Sequence, residues 1–159
     1  MLSKLSHYPD PDTFGFVIGD LSRLIRAEME RRIAQAGVSV TPAEGRTLAN
    51  IARIGCVRQN VLAERMGLEA MTLSTNLDRL EARGLVSRRP DPADRRAKLV
   101  DLTPAANAVL DHVRRISDQL RADLSRGMPQ ARWTQLLEQL KQIRADLATM
   151  RSQAGDRPA

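Results

Sequence analysis

Cysteine is almost absent: Cys56 stands alone. No intramolecular disulfide can form, and a lone thiol fits a reducing compartment. Aromatic residues are nearly as scarce, with Tyr8, Phe14, Phe16 and Trp133 making up the whole set. A stacking platform for single-stranded nucleic acid needs successive aromatic faces, so none is expected. No apolar run approaches the roughly 18–20 residues of a membrane span. No basic segment precedes a long apolar one near the N-terminus, so no secretory signal is expected. Two histidines, His7 and His112, share no close spacing with each other or with Cys56, so no metal and no cofactor is expected. A Gly-rich phosphate loop, a nucleophile motif and a zinc-protease signature are all missing, which leaves an enzyme reading with no residue set behind it.

Arginine, by contrast, is abundant. It supplies 22 of the 25 basic residues in a chain of net charge +6. Residues 83–98 hold six basic side chains (Arg83, Arg88, Arg89, Arg95, Arg96, Lys98) against two acidic ones, Asp91 and Asp94. Positive charge gathered in so short a stretch points to a polyanionic partner. Solvated surface arginine would account for the total, though less readily for the clustering.

The 159 residues suffice for one domain with a real core, or for an elongated subunit that completes its core with a partner. Pro9 and Pro11 keep residues 1–11 irregular. From Asp12 to about Ala36, Phe14, Val17, Leu21, Leu24, Ile25, Met29 and Ile33 recur at helical spacing, and Gly37 can close that helix. Thr41-Pro42-Ala43-Glu44 opens a second helix with a capping box, ending near Ile54. A short helix from Gln59 to Met66 and another from Ala70 to Arg83, joined across Gly67, have helix-turn-helix spacing. Leu85–Arg89 and Ala97–Leu102 alternate as strands around a Pro90-Asp91-Pro92 turn. Thr103-Pro104 repeats the cap-then-proline device before a fifth helix to about Arg126. A sixth runs from about Gln130 to Met150. The fold class is therefore mainly α with a small two-stranded antiparallel wing. The division is 1–40 (arm and dimerisation helix), 41–103 (DNA-binding domain), 104–151 (dimerisation helices) and 152–159 (polar tail). The first, fifth and sixth helices carry apolar stripes that the small central unit cannot cover. A helical interface between two chains is the economical solution.

This order of elements, with Gln59-x-x-Leu62-Ala63-Glu64-Arg65-Met66-Gly67-Leu68, Leu77-Asp78-Arg79-Leu80-Glu81-Ala82-Arg83-Gly84-Leu85-Val86-x-Arg88, Asp91-Pro92-x-Asp94-Arg95-Arg96 and Leu102-Thr103, resembles the MarR family of bacterial transcription regulators. The detailed match covers about residues 41–103. The resemblance implies a homodimer with one winged helix-turn-helix per subunit. It implies binding to pseudo-palindromic double-stranded operator DNA in the bacterial cytoplasm or nucleoid, with no membrane. Such proteins are usually repressors, commonly relieved by a small phenolic, lipophilic or oxidising signal.

On that footing, the second helix of the motif should enter the major groove by its N-terminal half, presenting Met71, Thr72, Ser74, Thr75, Asn76 and Arg79. Thr72 and Ser74 could equally just favour the helix start. Many relatives carry arginine near the position of Thr75, and its absence removes the basis for a guanine contact there. Gln59, Asn60, Arg88, Arg89 and Lys98 are the candidates for phosphate contacts. By the family pattern Arg96 enters the minor groove, held by Asp94, with Arg95 at the tip or facing solvent. Asp94 and Arg96 could also pair only to stiffen the turn. An effector pocket, if present, belongs between the first, second and fifth helices, with Arg26 a conceivable carboxylate partner. Cys56 is expected to be an ordinary thiol. Two further readings stay open: a DNA-binding regulator without a small-molecule effector, and a helical protein-interaction adaptor.

Overall fold

The architecture comes from a computed structural model that describes residues 12–155. The irregular arm expected for residues 1–11 lies outside that range. The chain divides into two compact units, Met1–Ser117 and Asp118–Ala159.

In the first unit, α1 (Phe14–Gln35) ends where Ala36 N–H reaches Arg32 O at 2.9 Å and Gly37 takes a φ of +61°. Of this long helix only Ile33 is buried; Phe14, Phe16, Leu21 and Leu24 are each about half exposed or more. The capping box expected at the second helix is present. Glu44 N–H donates to Thr41 Oγ1 at 3.2 Å, and Thr41 N–H donates to Glu44 Oε2 at 2.9 Å, opening α2 (Pro42–Ile54). The Glu44 carboxylate is buried and also receives Arg83 Nη1 at 3.3 Å. One carboxylate thus caps the second helix and holds Arg83, 39 residues further along the chain.

The helix-turn-helix consists of α3 (Gln59–Met66) and α4 (Ala70–Ala82), with Gly67 between them at φ +61°. A left-handed residue of this kind ends one helix and lets the next set off at an angle, at no Cβ cost. Leu62, Leu73, Leu77 and Leu80 are fully buried together with Leu48, Ile51 and Val100. Val61, Met66 and Leu68 pack against that cluster from its margin. The helical spacing of Val61, Leu62, Met66, Leu68, Leu73, Leu77 and Leu80 points to a small core for this helix pair, to which the structure adds Leu48, Ile51 and Val100.

The wing is β2 (Val86–Pro90) and β3 (Lys98–Leu102), antiparallel, with Val86 opposite Leu102 and Arg88 opposite Val100. The sheet has a third strand beyond the two expected. β1 (Val57–Arg58) pairs with β3, Val57 opposite Val100 and Arg58 opposite Leu99, giving the order β1-β3-β2. Two residues are too few to show alternation in a sequence. Pro90 lies in β2 rather than in the turn, opposite Lys98. β2 is an edge strand, where a missing N–H costs no ladder bond.

Helix α5 (Ala106–Ser125) starts later than the Thr103-Pro104 signal suggests. The Thr103 hydroxyl donates to Gly84 O and its N–H donates to Leu85 O, so it closes the base of the wing instead of capping a helix. Val109 and Val113 bury the near part of α5 in the core. Gly45 lies at this approach, where a Cβ would make ordinary contacts, 3.4 Å from Val113 Cγ2 and 3.7 Å from Ile33 Cδ1.

The second unit holds the end of α5 and α6 (Gln130–Gly155). α6 continues past the tail boundary expected at residue 152, with Ser152 Oγ bonded to Ala148 O at 3.1 Å. Nothing in Ser152-Gln153-Ala154 stops a helix, and that hydroxyl is satisfied one turn back. Leu136, Leu140, Leu147 and Met150 are exposed along it.

Candidate nucleic-acid interface

The start of α3, the first turns of α4 and the wing enclose a cleft of about 460 Å³, lined by Gln59, Asn60, Ala70, Ser74, Asp94, Arg96, Ala97 and Lys98. Six of these residues are singled out by sequence reasoning on separate elements: Gln59, Asn60, Ser74, Asp94, Arg96 and Lys98. The fold gathers them around one opening. The first-turn N–H groups of α3 have no intrahelical acceptor and face an anion well. The Gln59 side-chain oxygen is buried there without a hydrogen-bond partner. Asn60, Arg96 and Lys98 are exposed.

The wing tip is built by carboxylates. Buried Asp91 accepts Ala93 N–H at 2.9 Å and the Arg58 Nε–H. The backbone closes around them, Asp91 N–H to Ala97 O at 2.9 Å and Asp94 N–H to Asp91 O at 3.2 Å. The Ala93 N–H, followed by the Arg58 guanidinium, holds the Asp91 carboxyl below its ordinary range. Arg58 immediately precedes Gln59, so this pair ties the wing turn to the start of α3. Sequence reasoning missed Arg58: a single arginine between two helices carries no signal until the turn is folded against it.

Three expectations need correction. First, Asp94 accepts the backbone N–H of Arg96 at 3.1 Å and does not grip its guanidinium. Neither Arg95 nor Arg96 has an ion-pair partner among the described residues, and both are exposed. Short Asp side chains favour a backbone N–H two residues on over a remote guanidinium.

Second, Asn76 is buried at 8 % exposure, so it is not on the presented face of α4. It lies three residues after Leu73 and four before Leu80, on the stripe that faces the core. Met71, Thr72, Thr75 and Arg79 are exposed as expected, and Ser74 is half-buried in the cleft wall.

Third, Arg88 is not free for phosphate. Its backbone N–H donates to Glu81 Oε1 at 3.1 Å, its Nε–H to Glu81 Oε2 at 2.9 Å, and its Nη2–H to Asp78 Oδ1 at 2.6 Å. The hydrogen bond with Arg88 holds the Glu81 carboxyl below its ordinary range, and Glu81 in turn raises Arg88. Two carboxylates on α4 lie across from β2 and capture this side chain. Arg89 remains exposed, with Nη2 3.6 Å from Cys56 Sγ.

A second cavity, of about 400 Å³, lies among α1, α2 and α5, the location expected for an effector. Ile25, Met29, Ile33, Ala49 and Val113 make most of its wall, and Ser22, Arg26, Glu30 and Arg46 are its polar lining. Arg46 Nη1–H donates to Glu30 Oε1 at 3.2 Å, while its Nε is buried without a partner. Arg46 went unnoticed in the sequence, because one arginine on an amphipathic helix looks like any other. His112 is exposed on α5. Among the described residues no cluster of His, Cys, Asp and Glu could hold a metal ion, and no helix is long and apolar enough to cross a membrane.

Residues 40–98 match the MarR family. Among solved structures, the apo form of wild-type MarR from E. coli aligns with a TM-score of 0.71 at 22 % identity, over 85 % of this chain and 98 % of that one. A MarR transcriptional regulator from Methanosarcina mazei Go1 aligns with a TM-score of 0.73 at 18 % identity, over 86 % of this chain and 96 % of that one. A mutant E. coli MarR complexed with operator DNA aligns with a TM-score of 0.63 at 23 % identity, over 85 % of this chain and 99 % of that one. At these identities the likeness is one of fold, and the family is carried by the matched segment with its wing motif. Residues 40–98 of this chain are thus similar to the MarR family, and the chain shares the winged helix-turn-helix fold of the solved MarR structures.

Proposed function

We propose that this chain is a sequence-specific DNA-binding transcriptional regulator, acting as a homodimeric repressor that a small molecule releases from a pseudo-palindromic operator. The observation that carries the reading is the cleft between α3, α4 and the wing. It combines free helix N–H groups, Asn60, Lys98 and an unpaired Arg96 beside an exposed helix face. Backbone donors and cations of this kind hold phosphates, while the helix face reads base edges in the major groove. An exposed wing arginine suits the negative potential of a narrow minor groove. That a mutant E. coli MarR of similar fold forms a complex with operator DNA supports DNA binding by this chain.

Dimerisation is supported by apolar surface that each unit leaves bare. Phe14, Val17, Leu21 and Leu24 follow one another on α1, and Leu136, Leu140 and Leu147 on α6. Runs of exposed leucine and phenylalanine at helical spacing are uncommon on monomers. For the effector, the cavity among α1, α2 and α5 combines a mainly apolar wall with Arg26 and the unpartnered Arg46 Nε. A small apolar monoanion such as an aromatic carboxylate suits that chemistry.

The test uses the full chain with duplexes selected from a randomised library, binding being followed by fluorescence anisotropy across a salt series. Specific binding that survives competitor DNA and weakens linearly with log salt supports the reading. Sedimentation should return a dimer at the same concentrations. Aromatic carboxylates should raise the melting temperature of wild type, with a smaller effect on Arg46→Ala. Failure to enrich any sequence would remove the DNA-binding proposal itself.

A further inference from the structure

The first two turns of α4 present a chemistry that phosphate contacts do not use. Met71 is 78 % exposed in the first turn, with its thioether chain standing in solvent. Ala70, Thr72 and Thr75 are exposed around it. The Thr75 hydroxyl donates back to Met71 O at 3.1 Å, which leaves its methyl as the outward group. The one amide in this stretch, Asn76, is buried, and Asp78 is engaged by Arg88 at 2.6 Å. No guanidinium or ammonium occurs on α4 before Arg79. The face that would lie deepest in a major groove is therefore rich in methyl groups and poor in the forked donors that pair with guanine or adenine.

We propose that α4 reads its half-site through methyl contacts, with Met71 as the specificity-determining residue packing on thymine 5-methyl groups and Thr75 adding a second methyl. The proposal rests on the DNA-binding reading above and names what that site selects. The physical basis is that thymine alone among the four bases carries a methyl in the major groove. An apolar side chain can favour it without any hydrogen bond. Guanine is read best by a forked donor and adenine by an amide that both donates and accepts, and these two turns expose neither. Thr72 retains a hydroxyl, but a single hydroxyl bonds to several bases with little discrimination.

Replacing thymine by deoxyuridine deletes only the methyl and leaves every groove donor and acceptor in place. The full chain is first used to select a duplex from a randomised library. That duplex is then resynthesised with deoxyuridine at each thymine in turn. The expected result is a loss of about fourfold in affinity at one or two thymines per half-site, the effect of one methylene-sized apolar contact. Met71→Ala should abolish the thymine preference at one of those positions. Its salt dependence and melting temperature should match wild type, because Met71 makes no core contact. Equal affinity for thymine and deoxyuridine at all positions would overturn methyl reading while leaving specific DNA binding intact. A deoxyuridine effect that persists unchanged in Met71→Ala would overturn the role of Met71. If no duplex is enriched at all, the DNA-binding reading on which the proposal rests is what falls.

Discussion

Arg88→Ala separates charge that holds the fold from charge that meets a partner. Arg88 has its side chain 12 % exposed and ion-pairs with Asp78 and Glu81, which are 60 % and 39 % exposed. Hydrogen bonds between charged groups contribute about 1.5–3 kcal/mol when well shielded. Two carboxylates this open to water are screened, so the pairs deserve the lower part of that range. Removing the side chain should cost about 1–2 kcal/mol, including the apolar stem lost between α4 and β2. For a chain of this size that is a fall of about 3–6 °C in melting temperature. The assay is thermal melting at fixed protein concentration, paired with anisotropy titrations over a salt series. The salt slope of DNA binding should stay at the wild-type value, because no phosphate contact has been removed. An unchanged melting temperature together with a reduced salt slope would refute the argument and return Arg88 to the partner surface.

Arg96→Ala should behave in the opposite way. Operator binding weakens by about 1–3 kcal/mol per site while the melting curve stays put, since the guanidinium has no ion-pair partner among the described residues. Gly45→Ala should raise stability by about 0.5–1 kcal/mol in urea unfolding. The nearest atom to the new Cβ would be Val113 Cγ2 at 3.4 Å, an ordinary contact, so a destabilised variant would mean that α2 and α5 pack more tightly than described. Acid should loosen the wing. The carboxyls of Asp91 and Glu81 sit below their ordinary values of 3.8 and 4.5, so their contribution is complete above that range and is lost as pH falls through the folded values. Stability measured from pH 7 to pH 3 should drop less steeply at the acid end for Asp91→Asn than for wild type.

Much of this fold could be read in the sequence because its signals are local. Thr41 and Glu44 are three residues apart, and their capping box needs nothing beyond one helical turn. The leucines of α3 and α4 announce a core by spacing alone. What failed to show was decided by groups distant in sequence. Arg58 and Asp91 meet across 33 residues, and Arg88 reaches Asp78 across ten. A charged residue looks the same in a sequence whether it is held by a neighbour or free. Asn76 was misplaced for a different reason: it stands at helical spacing from Leu73 and Leu80 on the buried stripe, but its amide reads as a polar surface group. The wing motif fixed which residues surround the cleft, but not which of its arginines remain available.

The link between Arg58 and Asp91 gives the molecule a ruler. Because Asp91 in the wing turn is fastened by Arg58 at the root of α3, the wing turn and the start of the helix-turn-helix keep a set separation. One base pair adds about 3.4 Å along a duplex. On the proposed reading, an insertion between the two contact zones of a single half-site should therefore be rejected, while variation in the gap between half-sites would have to be absorbed elsewhere in the proposed dimer.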